Sequence, residues 1–262
     1  MYPFIDLFGL QIPTYGLISL LGATVALVVG LFLIRRNQVP VFEFVCTSIV
    51  GILGVLLGAH ILYALTRVED ILQVLAQREM YDSFGDFLVA VLDLCTGMVF
   101  YGGLYGGLLF GFLWLRKYPS LLLRMADVFA VIIPLFHVFG RVGCFFAGCC
   151  YGMESSLGVS GRVLASGEVE QVIRLPIQLI EAAALCVLFV VLLRLFLSCR
   201  FTGNLMCIYL FSYGVLRFVL EFFRGDSVRG HLWIFSTSQW ISLLTIVGVV
   251  LYLLIRRRKS NI

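Results

Sequence analysis

Four residues near the end of one apolar run carry the strongest chemical signal in the chain. In SYGVLRFVLEFFRGD, Tyr213, Arg217, Glu221 and Arg224 are spaced four, four and three apart, which lines them along one face of a helix. Ionisable groups inside a membrane span cost several kcal/mol unless they pair or face water, so each is a functional hypothesis by default. The plain reading is an Arg217–Glu221 salt bridge that fixes helix packing. The sharper one is that Arg224, at the rim, and Arg217, deeper in, hold an anionic group between them, because the planar guanidinium fork matches phosphate.

A second basic group sits in FHVFGRVGCFFAGCCYG, where His137 and Arg141 stand one helical turn apart. Gly140, Gly143, Gly148 and Gly152 follow the same stretch and let backbone approach either a ligand or a neighbouring helix closely. His137, like His60 in GAHILY, reads first as a hydrogen-bonded structural histidine and second as a base. Cys144, Cys149 and Cys150 form a C-x4-C-C pattern, which is not a standard zinc spacing but could exchange disulfides in an oxidising compartment. Cys46, Cys95, Cys186, Cys199 and Cys207 lie in apolar runs and read as packing. In FYGGLYGGLLFG, Tyr101 and Tyr105 accompany Gly102, Gly103, Gly106 and Gly107, a thin surface for a second helix or a lipid. Tyr15 opens another apolar run, where an interfacial aromatic belt alone accounts for it.

The elements that must position these residues are transmembrane helices. The 262-residue chain is 61% hydrophobic and only 13% charged, against roughly 25% charged in globular proteins. A formal net charge of +4 argues against a general nucleic-acid partner. Seven segments meet or approach the length of about 20 apolar residues that a span needs: 14–34, 44–65, 97–115, 121–140, 175–197, 202–223 and 236–255. None alternates in period two as a barrel strand would. The expectation is an all-α integral membrane protein with seven helices, a single polytopic domain over 1–262. Arg35 and Arg36, Arg116 and Lys117, Arg194 and Arg200, and Arg256, Arg257, Arg258 and Lys259 then fall on one face, which predicts an outside N-terminus and a cytoplasmic C-terminus.

On that count the two longest polar stretches, 66–86 and 153–174, lie on the outer face. Ile71, Leu72, Val74, Leu75 and Met80 among charges predict an amphipathic helix at the interface. The opening residues carry no positive n-region and no clear small-residue cleavage site, so the first span is expected to stay in the mature protein.

Taken in order, these segments resemble the prolipoprotein diacylglyceryl transferase family from about residue 12 to residue 255. The pieces that carry the resemblance are YGL at Tyr15–Leu17, GAHILY at Gly58–Tyr63, YGGLYGG at Tyr101–Gly107 and GRVGCFFAGCCYG at Gly140–Gly152. LPIQLIEA at Leu175–Ala182, YGVLRFVLEFFRGD at Tyr213–Asp226 and STSQWISL at Ser236–Leu243 complete the set. The resemblance implies a multi-pass enzyme of the bacterial cytoplasmic membrane. Such an enzyme transfers the diacylglyceryl group of phosphatidylglycerol to the lipobox cysteine in the signal peptide of a preprolipoprotein, and no metal or organic cofactor is implied. Tyr101, Arg141, Arg217 and Glu221 then stand as catalytic residues. Tyr15, Gly102, Gly103, Gly140, Gly143, Tyr213 and Arg224 stand as substrate-binding ones.

Departures from the family pattern cluster at these positions. Tyr101 occupies the place of a histidine proposed to activate the thiol. Cys144, Ala147 and Cys149 replace two asparagines and a glutamate, and His60 stands where arginine is frequent and could supply the missing imidazole. Competing readings are a relative with another thiol acceptor or phospholipid donor, and a membrane thiol redox protein using Cys144, Cys149 and Cys150. A transporter is a further reading, opposed by the lack of a convincing inverted repeat.

Overall fold

The structure is a computed structural model and describes all residues except 1, 8, 161, 164–168, 226–230, 233 and 261–262. Asp226, the last residue of the arginine-rich motif, lies outside the described residues, as do part of the 153–174 stretch and the side chain of Lys259.

In chain order the elements are β1 (Phe4–Leu7), β2 (Leu10–Pro13), α1 (Thr14–Arg36), α2 (Val41–Thr66), α3 (Val68–Ala76), α4 (Phe84–Asp93), α5 (Phe100–Leu115) and α6 (Pro119–Ala147). They continue with β3 (Glu154–Val159), β4 (Arg162–Val163), β5 (Val169–Glu170), α7 (Ile177–Leu197), α8 (Leu205–Glu221), β6 (His231–Leu232), β7 (Phe235–Ser236) and α9 (Thr237–Ser260). Helices dominate; among the described residues the strands form three small antiparallel pairs, β1–β2, β4–β5 and β6–β7, while β3 makes isolated antiparallel bridges to Arg174.

Among the described residues six helices, α1, α2, α6, α7, α8 and α9, are long and apolar enough to cross a membrane. The expected span over 97–115 is helical only from Phe100 to Leu115, 16 residues. At about 1.5 Å per residue it is about 24 Å long, short of a hydrocarbon core about 30 Å thick. The amphipathic helix expected within 66–86 is instead two short helices, α3 and α4, joined by a 3-10 turn over Arg78–Met80. Neither buries a residue, and Leu72, Leu75, Met80 and Phe84 stand exposed.

The chain divides into two compact units, one of Met1–Gln38 with Leu123–Ile262 and one of Val39–Leu122. In the smaller unit α2 packs on α5 through glycines four apart on both helices. A Cβ on Gly54 or Gly58 would strike the carbonyl oxygens of Gly106 and Gly102, and one on Gly102 or Gly106 would strike those of Gly58 and Gly54. This is the small-xxx-small crossing that brings two backbones into contact in a membrane.

The larger unit holds α1, most of α6, and α7 to α9 around a core of Leu33, Ile34, Met125, Val128, Val131, Leu185, Leu192 and Tyr209. One end of it is tied by polar bonds. Asp127 accepts from the backbone N–H groups of Gly203 (2.5 Å) and Leu205 (3.1 Å), capping the start of α8. Arg256 donates to the Gly203 carbonyl (2.9 Å) and to Asn204 Oδ1 (2.6 Å), and Arg36 donates to the Leu197 carbonyl (2.9 Å). Basic residues that end α1 and α9 thus gather at this end, away from the ends where α6 finishes and α7 starts.

Candidate active site

The opposite end of the larger unit holds a chain of alternating charges. Helix α6 does not stop near residue 140, as the sequence pattern predicts, but runs on to Ala147, so Arg141 and Cys144 are helical. Arg141 Nη2 lies 3.0 Å from Glu181 Oε1 on α7. Arg217 Nη1, on α8, lies 3.8 Å from the other oxygen of the same carboxylate. Arg217 Nη2 pairs with Glu221 Oε2 at 2.6 Å one turn along α8, and Arg224 Nε approaches that oxygen to 3.9 Å. The two arginines singled out in separate spans therefore converge on one site.

All five charged side chains are at least nine-tenths buried, so three guanidiniums face two carboxylates away from water. Arg217 Nη1 has no hydrogen-bond acceptor among the described residues. The cluster carries one positive charge in excess and an uncommitted donor, the complement of an anion. Arg141 Nε donates to His137 Nε2 at 3.2 Å, which makes that nitrogen an acceptor and leaves His137 holding Arg141 in place. Tyr213, on the arginine face of α8, packs edge-on against the His137 ring (5.3 Å) and stacks on Tyr209 (6.0 Å).

Glu181 is the residue that sequence reasoning missed. It is fully buried and central to the cluster, and its signal was a glutamate and a glutamine three apart in the apolar run LPIQLIEA. Ser236 and Gln239 were missed as well. Gln239 N–H donates to Ser236 Oγ (3.2 Å), and Gln239 Oε1 accepts from the Ser236 N–H (2.9 Å). This is the reciprocal cap of an S-x-x-Q start, and it begins α9. Ser236 Oγ also donates to Glu221 Oε1 at 3.0 Å, so the cap of α9 orients the carboxylate that holds Arg217.

Beyond α6 the chain folds back over the helix end. Gly148 has φ +71°, Cys149 N–H donates to the Cys144 carbonyl (3.2 Å) and Gly148 N–H to the Phe145 carbonyl (3.2 Å). That bond pair is a Schellman terminus with glycine in the left-handed position. The Sγ atoms of Cys144, Cys149 and Cys150 all lie within 4.8 Å of one another. Hydrogen bonds from Cys144 and Cys149, aided by Arg141 and Arg224, hold the Cys150 thiol well below the usual range against the cost of burial. Cys149 is pushed up to about 11: its bond with Cys144 lowers it, but its bond with Cys150 and burial outweigh that.

The loops after α6, before α7 and after α8 are knit together by Gly152 N–H to the Leu175 carbonyl (3.1 Å), Met153 N–H to the Phe223 carbonyl (3.0 Å) and Gly225 N–H to the Tyr151 carbonyl (3.1 Å). A Cβ on Gly152 would lie 2.5 Å from the Leu175 oxygen, so only glycine permits this crossing. Tyr15 of α1 packs on Gly143, whose Cβ would meet its ring at 3.0 Å, whereas a Cβ on Gly140 would meet nothing within 4 Å.

The remaining sequence candidates belong to the smaller unit. Tyr101 is 2% exposed and stacks on Tyr105 at 6.0 Å. Gly102 and Gly103 face α2. His60 Nδ1 lies 3.1 Å from the Cys95 carbonyl and 3.0 Å from that of Gly97, so it carries the proton and ties α2 to the turn before α5.

Comparison with known proteins agrees with this geometry. The profile of the prolipoprotein diacylglyceryl transferase family matches residues 3–255. A phosphatidylglycerol–prolipoprotein diacylglyceryl transferase of Clostridium tetani is 33% identical over 97% of this chain and 98% of its own length. One from Clostridium perfringens, numbered 2, is also 33% identical, over 98% and 95%, and one from Campylobacter jejuni is 28% identical over 98% and 94%. With nearly its whole length matched, and with the motif arginines brought to one buried cluster, the chain belongs to the prolipoprotein diacylglyceryl transferase family.

Proposed function

We propose that the protein transfers the diacylglyceryl group of phosphatidylglycerol to the lipobox cysteine of a preprolipoprotein in the bacterial cytoplasmic membrane. The observation that carries this reading is the buried cluster of three arginines against two glutamates. The acceptor thiolate attacks the glyceryl carbon that bears the phosphate, a C–S bond forms as the C–O bond breaks, and glycerol phosphate leaves with the bonding electrons. Charge grows on the departing phosphate, and preorganised guanidiniums in a dry site stabilise it without reorganisation. Arg141 and Arg217 flank the phosphate, Glu181 and Glu221 aim them, and Arg224 guards the rim.

The thiol must first lose its proton, because the thiolate is the nucleophile. We assign that step to Tyr101, at the family's histidine position, with His60 Nε2 as the alternative base. His137 serves Arg141 instead. Gly140, with open space where a side chain would stand, lets the lipid approach the backbone, and Tyr15 and Tyr213 line the site.

The topology that fits this function has seven crossings, with α5 as the short one, an outside N-terminus and a cytoplasmic C-terminus. Counting α5 as a crossing puts the basic clusters after α1, α5, α7 and α9 on one side, as the positive-inside rule requires; omitting it splits them. The transfer is tested by giving the purified protein vesicles of tagged phosphatidylglycerol and a lipobox peptide. Thioether-linked label on the peptide is the expected product, and its absence with an otherwise competent acceptor would overturn the reading.

A further inference from the structure

The three-cysteine turn at the end of α6 has no part in the transfer chemistry, yet it is built with care. Cys144 and Cys149 occupy the third-from-last and second-beyond positions of the Schellman terminus, the pair of positions whose side chains meet in that motif. Cys150 then takes φ +57°, a left-handed conformation that a non-glycine residue holds only when its surroundings impose it. Gln178 Nε2 fixes the turn by donating to the Cys149 carbonyl at 2.7 Å. The result is three Sγ atoms within 4.8 Å of one another.

We propose that this turn is a copper(I) site in which Cys144, Cys149 and Cys150 form a trigonal all-sulfur shell. An ion at the centre of a triangle with sides no longer than 4.8 Å lies at most about 2.8 Å from each sulfur, against about 2.3 Å for a metal–thiolate bond. Small rotamer adjustments close that gap. The cluster holds thiols alone, with no histidine or carboxylate among the described residues as a fourth ligand. Soft thiolates suit copper(I), zinc and iron–sulfur clusters, but structural zinc is bound by four ligands, so a three-thiol shell favours copper(I). Binding displaces whatever protons the three thiols still hold and gives a copper(I) tris-thiolate of charge −2, with no change of oxidation state. Two guanidiniums stand by to offset that charge: Arg141 is one turn before Cys144 on α6, and Arg224 is bridged through its backbone to Gly152, two residues past Cys150.

The site goes beyond the transfer reading and is tested without substrate. The reduced full-length protein in detergent is titrated anaerobically with copper(I) against bathocuproine disulfonate. The protein is expected to withdraw about one equivalent, Cys149→Ser and Cys150→Ser to weaken binding by roughly tenfold or more, and Cys186→Ser to leave it unchanged. In the unsubstituted protein, copper(I) should shield Cys144, Cys149 and Cys150 from iodoacetamide while Cys199 stays reactive, as mapped by mass spectrometry. That measurement holds even where a variant fails to fold. Failure to compete for copper, parental affinity in both serine variants, unchanged alkylation, or tighter zinc(II) than copper(I) binding at the same thiols would each overturn the site.

Discussion

Arg141 and Arg217 share one carboxylate, Glu181, whose two oxygens lie 3.0 Å from Arg141 Nη2 and 3.8 Å from Arg217 Nη1. Two like charges from different helices are thereby held together in a site that excludes water. Removing the bridge leaves two buried guanidiniums facing each other, and uncompensated buried charge costs about 3 kcal/mol or more. Glu181→Gln should therefore lower the thermal midpoint in detergent and abolish transfer, whereas Glu221→Gln, which bridges arginines seven residues apart on one stretch of chain and keeps an acceptor oxygen for Ser236, should destabilise less. Equal stability of Glu181→Gln and the parent protein would mean that the bridge does not organise the cluster.

Arg141 is committed to Glu181 and His137 through separate nitrogens, so its role depends on the planar fork and not on charge alone. Arg141→Lys keeps the charge and loses the fork. Transfer to a lipobox peptide should fall by about 10²-fold or more in Arg141→Lys and Arg141→Ala alike, the scale of losing one preorganised donor to developing charge. Restoration of activity by lysine would reduce the clamp to a simple electrostatic field.

Tyr101 tests how the thiol is activated. An ordinary phenol titrates near 10 and an imidazole near 6.5, so Tyr101→His moves the position toward the family pattern and should sustain or raise turnover at neutral pH. Tyr101→Phe preserves the buried ring beside Tyr105 while removing the hydroxyl, and its turnover should drop with little change in stability. If phenylalanine works as well as tyrosine, the base lies elsewhere, and His60 becomes the residue to vary.

The chain's sequence made some of this legible and concealed the rest for physical reasons. The Tyr213–Arg217–Glu221–Arg224 face was readable because a helix repeats every 3.6 residues and charge is rare in apolar runs. Its partner Glu181 was not, because pairing across α7 and α8 is a tertiary fact that spacing within one helix cannot encode. The end of α6 was placed too early at 140 because about 20 apolar residues suffice to cross a membrane, and that length does not show whether a helix runs on beyond it. In the structure Gly143 receives Tyr15 and the stop falls at Gly148, where the backbone turns left-handed. The glycines of α5 were visible as a thin surface, but only the matching Gly54 and Gly58 on α2 decide that a helix fills it.

Ser236 links a helix cap to the ion-pair cluster, since its Oγ accepts from Gln239 N–H and donates to Glu221 Oε1. Ser236→Ala removes both bonds and should cost about 1 kcal/mol of stability, the usual loss for an N-cap, with a moderate fall in transfer as Glu221 loses its orientation. Ser236→Asp restores a capping acceptor but sets a second carboxylate against Glu221, so it should recover none of the lost activity. Full activity in Ser236→Asp would show that the serine matters to α9 alone.

Gly140 and Gly106 separate a glycine that serves a ligand from one that serves packing. A Cβ on Gly106 would strike the Gly54 backbone, whereas one on Gly140 would meet nothing within 4 Å. Gly106→Ala must push α2 and α5 apart and should destabilise the protein by about 1–3 kcal/mol, the range for overpacking. Gly140→Ala should leave the thermal midpoint unchanged, because a helix former replaces glycine with no clash, yet raise KM for phosphatidylglycerol if the lipid approaches the backbone there. A Gly140→Ala variant with unaltered KM and unaltered stability would remove that residue from the lipid path, while a stable Gly106→Ala would show that the α2–α5 crossing is looser than its glycines imply.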